Sequence, residues 1–307
     1  MELRHLKYFQ VVSQLSSLTK AAEVLHLTQP SLTVAMQKLE EELKVPLFDR
    51  SQRSLSLTLE GNLFLKHVND ILRRVNDSVS EMQDYRTMQT GTIKVGIPPM
   101  IGVFLFPHIF SKFRSLYPNF ELTIVEQGTL SILRLLEQGK LDIGFGVLFD
   151  NQSAAMETMP VVRRQIVVCL PKEHPLSTLR QIPIAALQEE PFILLQEDTY
   201  NRQIILEECK KHLFAPKVIF STRQIQTIIN LVEQGIGLSF LLDVVAQKQP
   251  NITCRSLENP LHIQTGLIWR KDKYLSNALK AFIDFIKESF PAEKLPVAEK
   301  SSDLKEI

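Results

Sequence analysis

Between Ser17 and Leu43 the sequence leaves the backbone little choice. Leu18, Ala21, Ala22 and Leu25 recur on one face of a short helix, and Leu32, Met36, Leu39 and Leu43 repeat the pattern a few residues on. The two alanines let a second helix cross closely, and Leu27 plugs the turn between them. Thr28 is a good N-cap, and Pro30 falls in the first turn, where its missing N–H costs nothing. Two short helices packed across a tight turn are therefore predicted.

The face left outside on the second helix carries Gln29, Ser31, Thr33, Val34, Gln37 and Lys38, with no carboxylate until Glu40. Such a face suits a DNA major groove, where amides and hydroxyls meet base edges and an apolar side chain touches a thymine methyl. The next segment, Pro46 to Thr58, reads as a small hairpin. Leu55 and Leu57 alternate with polar residues, and Arg50 and Arg53 stand at the turn before them, placed to reach phosphates or the minor groove. The net charge is only +1, which argues against a generic nucleic-acid binder. Any such binding has to be local, on a surface made by Lys20, Lys38, Arg50 and Arg53.

A long helical pattern without proline then runs from about Thr58 to Thr87, its only glycine, Gly61, in the first turn. Leu65, Val68, Leu72, Val75, Val79 and Met82 recur at alternating spacings of three and four, the heptad seam of a self-pairing helix. Asp70, Arg73, Arg74, Asp77 and Asp84 lie off the seam and are expected to keep the other faces wet. A homodimer through this helix is expected, the alternative being one long helix packed on its own domain.

Thr90-Gly91 ends the helix, and strands alternate with helices from there to about residue 289. Strands are predicted at Thr92–Ile97, Phe120–Glu126, Leu141–Val147, Ile166–Leu170, Phe192–Leu195, Val218–Ser221, Leu238–Leu242 and Gly266–Trp269. Helices are predicted at Gly102–Tyr117, Leu130–Gln138, Asn201–Leu213 and Ile225–Gln234. This alternation implies parallel sheets with crossover helices. An internal echo links Leu135-Leu136-Glu137-Gln138-Gly139 to Leu231-Val232-Glu233-Gln234-Gly235, each a helix stopped by glycine before a strand. Two similar α/β units facing across a cleft follow, with a ligand at the strand ends against helix N-termini. Helix starts of this kind favour a small anion such as a carboxylate, and three qualify by position: Met100-Ile101-Gly102, Gly128-Thr129 and Gln224 to Thr227. Pro98, Pro99, Met100 and Val147 would make one wall apolar. Residues 291–307, rich in Lys, Glu, Ser and Pro, read as a polar tail.

Composition narrows the function. With 307 residues, 44% hydrophobic and 22% charged, the chain has room for two or three globular domains. No apolar run approaches the roughly 18 to 20 residues of a membrane span, and the start lacks a signal-peptide core, so no membrane partner and a cytoplasmic location are expected. Three scattered cysteines make neither a disulfide framework nor a zinc site, and Cys169 reads as a buried thiol. Seven histidines are dispersed, and no nucleotide loop, nucleophile elbow or metal cluster appears, so neither an enzyme nor a bound cofactor is expected. An exported solute-binding protein would explain the paired α/β units but not the N-terminal helices. A constitutive DNA binder would leave two-thirds of the chain without a purpose.

The run from Ser17 to Leu43, continued by Val45-Pro46-Leu47-Phe48-Asp49-Arg50 and Leu55-Ser56-Leu57-Thr58, resembles the N-terminal domain of LysR-type transcriptional regulators almost without gaps. Glu126-Gln127-Gly128-Thr129, Leu136 to Gly144 and Lys172-Glu173-His174-Pro175-Leu176 are similar to patterns further along that family. The resemblance implies an α/β fold: an N-terminal winged helix-turn-helix (1–58), a long linker and dimerisation helix (59–89), and an effector domain (91–290). The effector domain would hold two Rossmann-like, type 2 periplasmic-binding-protein-like subdomains, about 91–162 with 266–290 and about 163–265. Paired half-sites in double-stranded DNA, a small-molecule effector, a homotetramer, and RNA polymerase where the regulator activates are the implied partners.

Residue by residue, the resemblance carries DNA binding onto Leu18, Thr19, Lys20, Ala21 and Ala22, and onto Thr28, Gln29, Pro30, Ser31, Leu32, Thr33, Val34, Gln37 and Lys38, with Arg50 and Arg53 on the wing. It carries effector binding onto the loops of Met100, Ile101, Gly128, Thr129 and Gln226; Val147 joins them as part of the apolar wall, and Arg202 either adds a charge there or stands as an exposed helix arginine. Thr129 stands where relatives use a hydroxyl on the ligand, and Val34 stands where many carry arginine or glutamine.

Overall fold

The computed structural model describes residues 1–49, 55–86, 90–149, 153–247 and 249–290. Arg50 and Arg53 of the expected wing, and the expected polar tail 291–307, lie outside them. The chain divides into two compact units, Met1–Arg86 and Thr87–Ile307.

The first unit holds α1 (Leu3–Leu15), α2 (Leu18–Leu25), α3 (Gln29–Leu43), the short strands β1 (Phe48–Asp49) and β2 (Ser56–Leu57), and α4 (Leu59–Arg86). Its boundaries are set by local chemistry. The Ser17 hydroxyl accepts from the Lys20 N–H to start α2, and Thr28 accepts from Ser31 to start α3. Each of the first three helices stops on a left-handed residue, Ser16, His26 and Lys44, at φ 48°, 54° and 57°. Helices this short are marginal alone. They are held by a shared core in which Phe9, Leu32, Met36 and Leu39 are fully enclosed. Each such side chain contributes about 1.5–3 kcal/mol on burial. The Glu40 carboxylate accepts from the Leu47 and Phe48 N–H groups at 2.8 and 3.1 Å, tying α3 to β1.

The helix α4 departs from the expected seam. Val68 is fully buried, and Phe64, Leu65 and Leu72 pack beside it against the N-terminal core. The Phe64 ring lies 5.1 Å from Phe9, and the Gln10 side chain donates to Asn69 Oδ1 at 2.6 Å. The first half of the stripe is therefore spent inside its own unit, because the short helices need a fourth wall. The apolar edge left exposed runs through Ile71, Val79 and Met82. Arg73, expected in water, is only 5% exposed and reaches Asp70 at 2.6 Å.

The second unit begins with β3 (Gly91–Ile97), α5 (Pro99–Phe104), α6 (Phe106–Leu116), β4 (Phe120–Glu126), α7 (Thr129–Glu137) and β5 (Ile143–Leu148). It continues through β6 (Met156–Pro171), β7 (Gln181–Ile182), β8 (Pro191–Leu195), α8 (Tyr200–Lys211), β9 (Lys217–Thr222), α9 (Ile225–Glu233), β10 (Ser239–Leu242), α10 (Asp243–Ala246), β11 (Ile252–Arg270) and α11 (Asn277–Ser289). One sheet runs β10-β6-β11-β5-β3-β4 with β7 on β11, and β8 pairs with β9 in a second. The pairs β3–β4, β3–β5 and β8–β9 are parallel.

The expectation of parallel pairing fails at β6 and β11. These strands, 16 and 19 residues long, run antiparallel from Met156↔Arg270 to Pro171↔Ile252. One end of the ribbon carries β5 against Gln264–Ile268, and the other carries β10 against Ile166–Cys169. The unit thus has two halves, one around β3–β5 and one around β8–β10, joined by this ribbon. Only the apolar ends of the two strands had stood out, since their middles alternate irregularly. The predicted helix Gly102–Tyr117 is also divided, α5 giving way to α6 at Leu105. Pro107 lacks the N–H and clashes with the preceding turn, so a continuous helix through it is unfavourable. Gly139 and Gly235 stop α7 and α9 at φ 68° and 70°, which explains the internal echo.

Candidate DNA-reading surface and effector cavity

On α3, Gln29, Pro30, Ser31, Val34, Gln37 and Lys38 are exposed and Thr33 is half-buried. The polar groups are already aligned. Gln29 Nε2 donates to Thr33 Oγ1 at 3.2 Å, and the Thr28 and Ser31 hydroxyls lie 2.8 Å apart. Thr19 and Lys20 at the start of α2 are exposed as well. Four other residues carried over from the family turn toward the core. Ala21, Ala22 and Leu32 are 0–3% exposed, so their side chains set the angle between α2 and α3 and are shut off from a base, and the partly buried Leu18 packs on the same core.

In the second unit a cavity of about 30 Å³ opens between the two halves. Met100, Ile101, Thr129 and Val147 line it from the first half, beside Pro98 and Pro99. The opposite side is supplied by Leu195, Thr199, Tyr200, Asn201 and Leu242, and the ribbon adds Ile263 and Thr265. Most of this wall is apolar. Thr129 is 2% exposed and its hydroxyl accepts from the Val147 N–H at 3.3 Å, which leaves its own proton to donate. Asn201 is 3% exposed, and neither its Nδ2 nor its Oδ1 has a hydrogen-bond partner among the described residues. A buried amide in that state costs about 1–3 kcal/mol. It sits in the first turn of α8, whose N-cap side chain makes no capping bond, Thr199 donating instead to the Gln196 carbonyl at 2.7 Å.

Three expected ligand contacts are placed elsewhere. Arg202 points away from the cavity: it donates to the Leu195 carbonyl and the Ser221 hydroxyl at 3.1 and 2.7 Å, clamping α8 to its own sheets. Gln226 is exposed and bonded to Asn230 at 2.8 Å, one turn along α9. Gly128 is taken by Asp198, whose carboxylate accepts from the Gly128 N–H at 2.9 Å while its carbonyl accepts from Leu130 at 3.1 Å. A Cβ at Gly128 would overlap the Asp198 backbone, so only glycine permits this approach. The positive end of α7, expected to attract a ligand anion, already holds the protein's own carboxylate. Arg223 pairs with the same carboxylate at 3.1 Å. A second tie between the halves runs from the Leu242 N–H to Met100 Sδ at 3.3 Å.

The residues missed in the sequence, Asp198, Thr199 and Asn201, lie just after a predicted strand at the start of a predicted helix. That is the same signal that singled out the three other helix starts.

A helix-turn-helix with an exposed polar recognition face, followed by a two-halved α/β domain enclosing a small cavity, defines a ligand-responsive DNA-binding regulator. Residues 3–62 match the bacterial regulatory helix-turn-helix of the lysR family, and residues 86–291 match the LysR substrate binding domain. The HTH-type transcriptional regulator YwbI of Bacillus subtilis (strain 168) is 32% identical over 300 residues, spanning 94% of this chain and 96% of that one. A full-length OxyR variant from Pseudomonas aeruginosa superposes with a TM-score of 0.64 at 26% identity, covering 94% of this chain and 95% of that one. CbnR in complex with its target DNA shares the fold at a TM-score of 0.62 and 21% identity, over 94% of this chain and 100% of that one. The chain belongs to the LysR family of transcriptional regulators, with an N-terminal DNA-binding domain and a C-terminal effector-binding domain.

The Asp198 contact has a pH signature. Burial pushes this carboxyl up, but hydrogen bonds from Ser131 and the Gly128 N–H, with the Arg223 guanidinium, outweigh burial and hold it below its ordinary value of 3.8. A carboxyl depressed by folding adds stability above its unfolded pKa and loses it as pH falls through the folded one. In thermal unfolding from pH 7 downward, Asp198→Asn is expected to melt below the parent at neutral pH, with the gap closing below about pH 4. A gap that stays constant through that range would show that the carboxylate charge is not what holds the two halves.

Proposed function

We propose that this chain is a sequence-specific regulator in which α3 reads the major groove of paired DNA half-sites and a small carboxylate with an apolar body binds in the cavity between the two halves of the effector domain. The observation that carries the effector reading is Asn201, an enclosed amide with unused donor and acceptor on an otherwise apolar cavity wall. Its Nδ2, at the positive N-terminal end of α8, suits one carboxylate. Thr129 supplies a second donor from the opposite side, and Oδ1 of Asn201 accepts from a ligand hydroxyl or a water. With α7 occupied by Asp198, the anion belongs at α8.

The cavity holds little more than a water or two, since one water needs about 10–15 Å³. An organic effector therefore has to part the two halves. Calorimetry on the full chain with a panel of small aliphatic and aromatic carboxylates is expected to find a binder that Asn201→Ala weakens about 10- to 100-fold, the worth of a hydrogen bond to a charged group. A sugar or cation as the tightest ligand, or a carboxylate indifferent to both Asn201→Ala and Thr129→Val, overturns this placement.

For DNA, the proposed contacts are Thr28, Gln29, Ser31, Thr33, Val34, Gln37 and Lys38 of α3 and its cap with Thr19 and Lys20 of α2, completed by Arg50 and Arg53. In gel-shift titrations Lys38→Ala is expected to weaken all sequences alike and flatten the salt dependence by about one phosphate contact. Gln29→Ala is expected to change sequence preference instead. Equal behaviour of both variants and parent on the operator would move the reading surface elsewhere.

A homodimer is proposed through the exposed edge Ile71–Val79–Met82 of α4, spacing two recognition helices by about one DNA turn or a multiple of it. Assembly to a tetramer, and contact with RNA polymerase where the protein activates, rest on the family alone. Val79→Asp places a charge on that edge while leaving the buried Val68 side intact. It is expected to sediment at half the parent mass with an unchanged melting temperature. The parent mass retained would exclude this edge.

A further inference from the structure

The three cysteines do not behave alike. Cys169 on β6 and Cys254 on β11 are direct register partners across the antiparallel ribbon, so their side chains leave the sheet on the same face. Partners in such a pair stand about 4.5–5.5 Å apart at Cα. A disulfide accepts about 4.4–6.8 Å, so the register puts the pair within bridging range. The thiols are close enough to shift each other's ionisation in opposite directions. Cys169 is fully enclosed, whereas Cys254 is only half-buried and is the more accessible of the two. The third member of the row is Ser239 on β10, the register partner of Cys169 on its other side. Its hydroxyl is 1% exposed and has no hydrogen-bond partner among the described residues, which leaves a donor beside the Cys169 sulfur.

We infer that Cys169 and Cys254 form a reversible dithiol–disulfide site, a modification site independent of the effector cavity, oxidised by a small hydroperoxide that enters from the Cys254 side. The Cys254 thiolate attacks the peroxide oxygen, the O–O bond breaks, and the leaving alkoxide or hydroxide takes up a proton. Cys254 is then a sulfenic acid. Cys169, its proton drawn off and its developing thiolate met by the Ser239 hydroxyl, attacks the Cys254 sulfur and expels water. In sum two thiols and one hydroperoxide give one disulfide, one alcohol (or water) and one water. A thiol reductant reverses the bond by exchange, becoming oxidised itself.

The roles follow from the surroundings. The adjoining Cys169 thiol and the neighbouring Arg255 guanidinium outweigh burial and draw the Cys254 thiol below its ordinary value. The adjoining Cys254 thiol and complete burial push Cys169 up. Attack therefore starts at Cys254 and resolution comes from Cys169. Cys209, buried on α8 and pushed up to about 12 by burial and by Glu208, supplies an internal control.

The test treats the reduced full chain with hydrogen peroxide, then denatures, alkylates and weighs it. Free thiols are expected to fall from three to one, with one cross-linked peptide joining Cys169 to Cys254 and full recovery in dithiothreitol. Cys209→Ser is expected to lose both of its remaining thiols. Cys169→Ser should stop at a Cys254 sulfenic acid that a cyclic diketone traps, and Cys254→Ser should be inert. The peptide map of the parent decides the matter even if a serine variant folds poorly. Three thiols retained in the folded parent, a cross-link through Cys209, or a covalent dimer in place of the internal bond would each overturn the inference.

Discussion

Everything in the effector domain hangs on the antiparallel ribbon of β6 and β11. One end of it is an edge for β5 and so for the parallel sheet of the first half; the other end is an edge for β10. Any change in the angle between the halves is therefore a bend or twist of these two strands. Their register is not uniform: it shifts between Ser256 and Leu261 and again between Thr265 and Gly266. Such irregularities remove ladder hydrogen bonds and increase local twist, so they are where a ribbon of this length yields first. Thr265 and Ile263, on the cavity wall, lie between the two shifts.

Across the gap that the ribbon leaves, the domain closes on itself. Asp198 at the N-terminus of α7 and Met100 against Leu242 hold the halves together by a charge–dipole contact and a weak sulfur hydrogen bond. The cavity behind them is small, apolar and incompletely satisfied at Asn201. If the effector binds here as proposed, closure and ligand accommodation compete for the same space, and the free energy of its contacts is offset by the loss of these ties. A ligand can shift this equilibrium only by as much as it prefers the open form.

The sequence made some of this legible and hid the rest for identifiable reasons. Ala21, Ala22, Leu32 and Met36 mark the helix-turn-helix because small and large residues alternate on faces that must interlock. Met100, Thr129 and Val147 stood out because strand ends before helix starts are where α/β domains open. Arg202 is conspicuous in the sequence by its charge, yet a guanidinium so close to the carbonyl end of β8 bonds to backbone, while the buried amide next door carries no charge to mark it. The long strands were half hidden because periodicity marks burial, and their middles are buried unevenly. The stripe on α4 has the spacing of one seam, although its first half packs inside its own unit and its second half is exposed. A 3–4 spacing records that a face is covered, not by what. The pairing of Cys169 with Cys254, 85 positions apart, depends on strand register and has no local signature at all.

The placement of Val68 and Phe64 inside the N-terminal core has a consequence for how half-sites are measured. A helix keyed into a core by two such side chains cannot roll about its own axis independently of α3. The direction of the exposed edge of α4 and the direction of the recognition face are thus a single variable. In the proposed dimer, the surface that covers Ile71, Val79 and Met82 would also fix the phase between two reading heads, in the way a calliper is set at its pivot and not at its tips. Inserting half a helical turn of DNA between half-sites would then rotate one of them out of reach, while a full turn would restore the phase at a new separation.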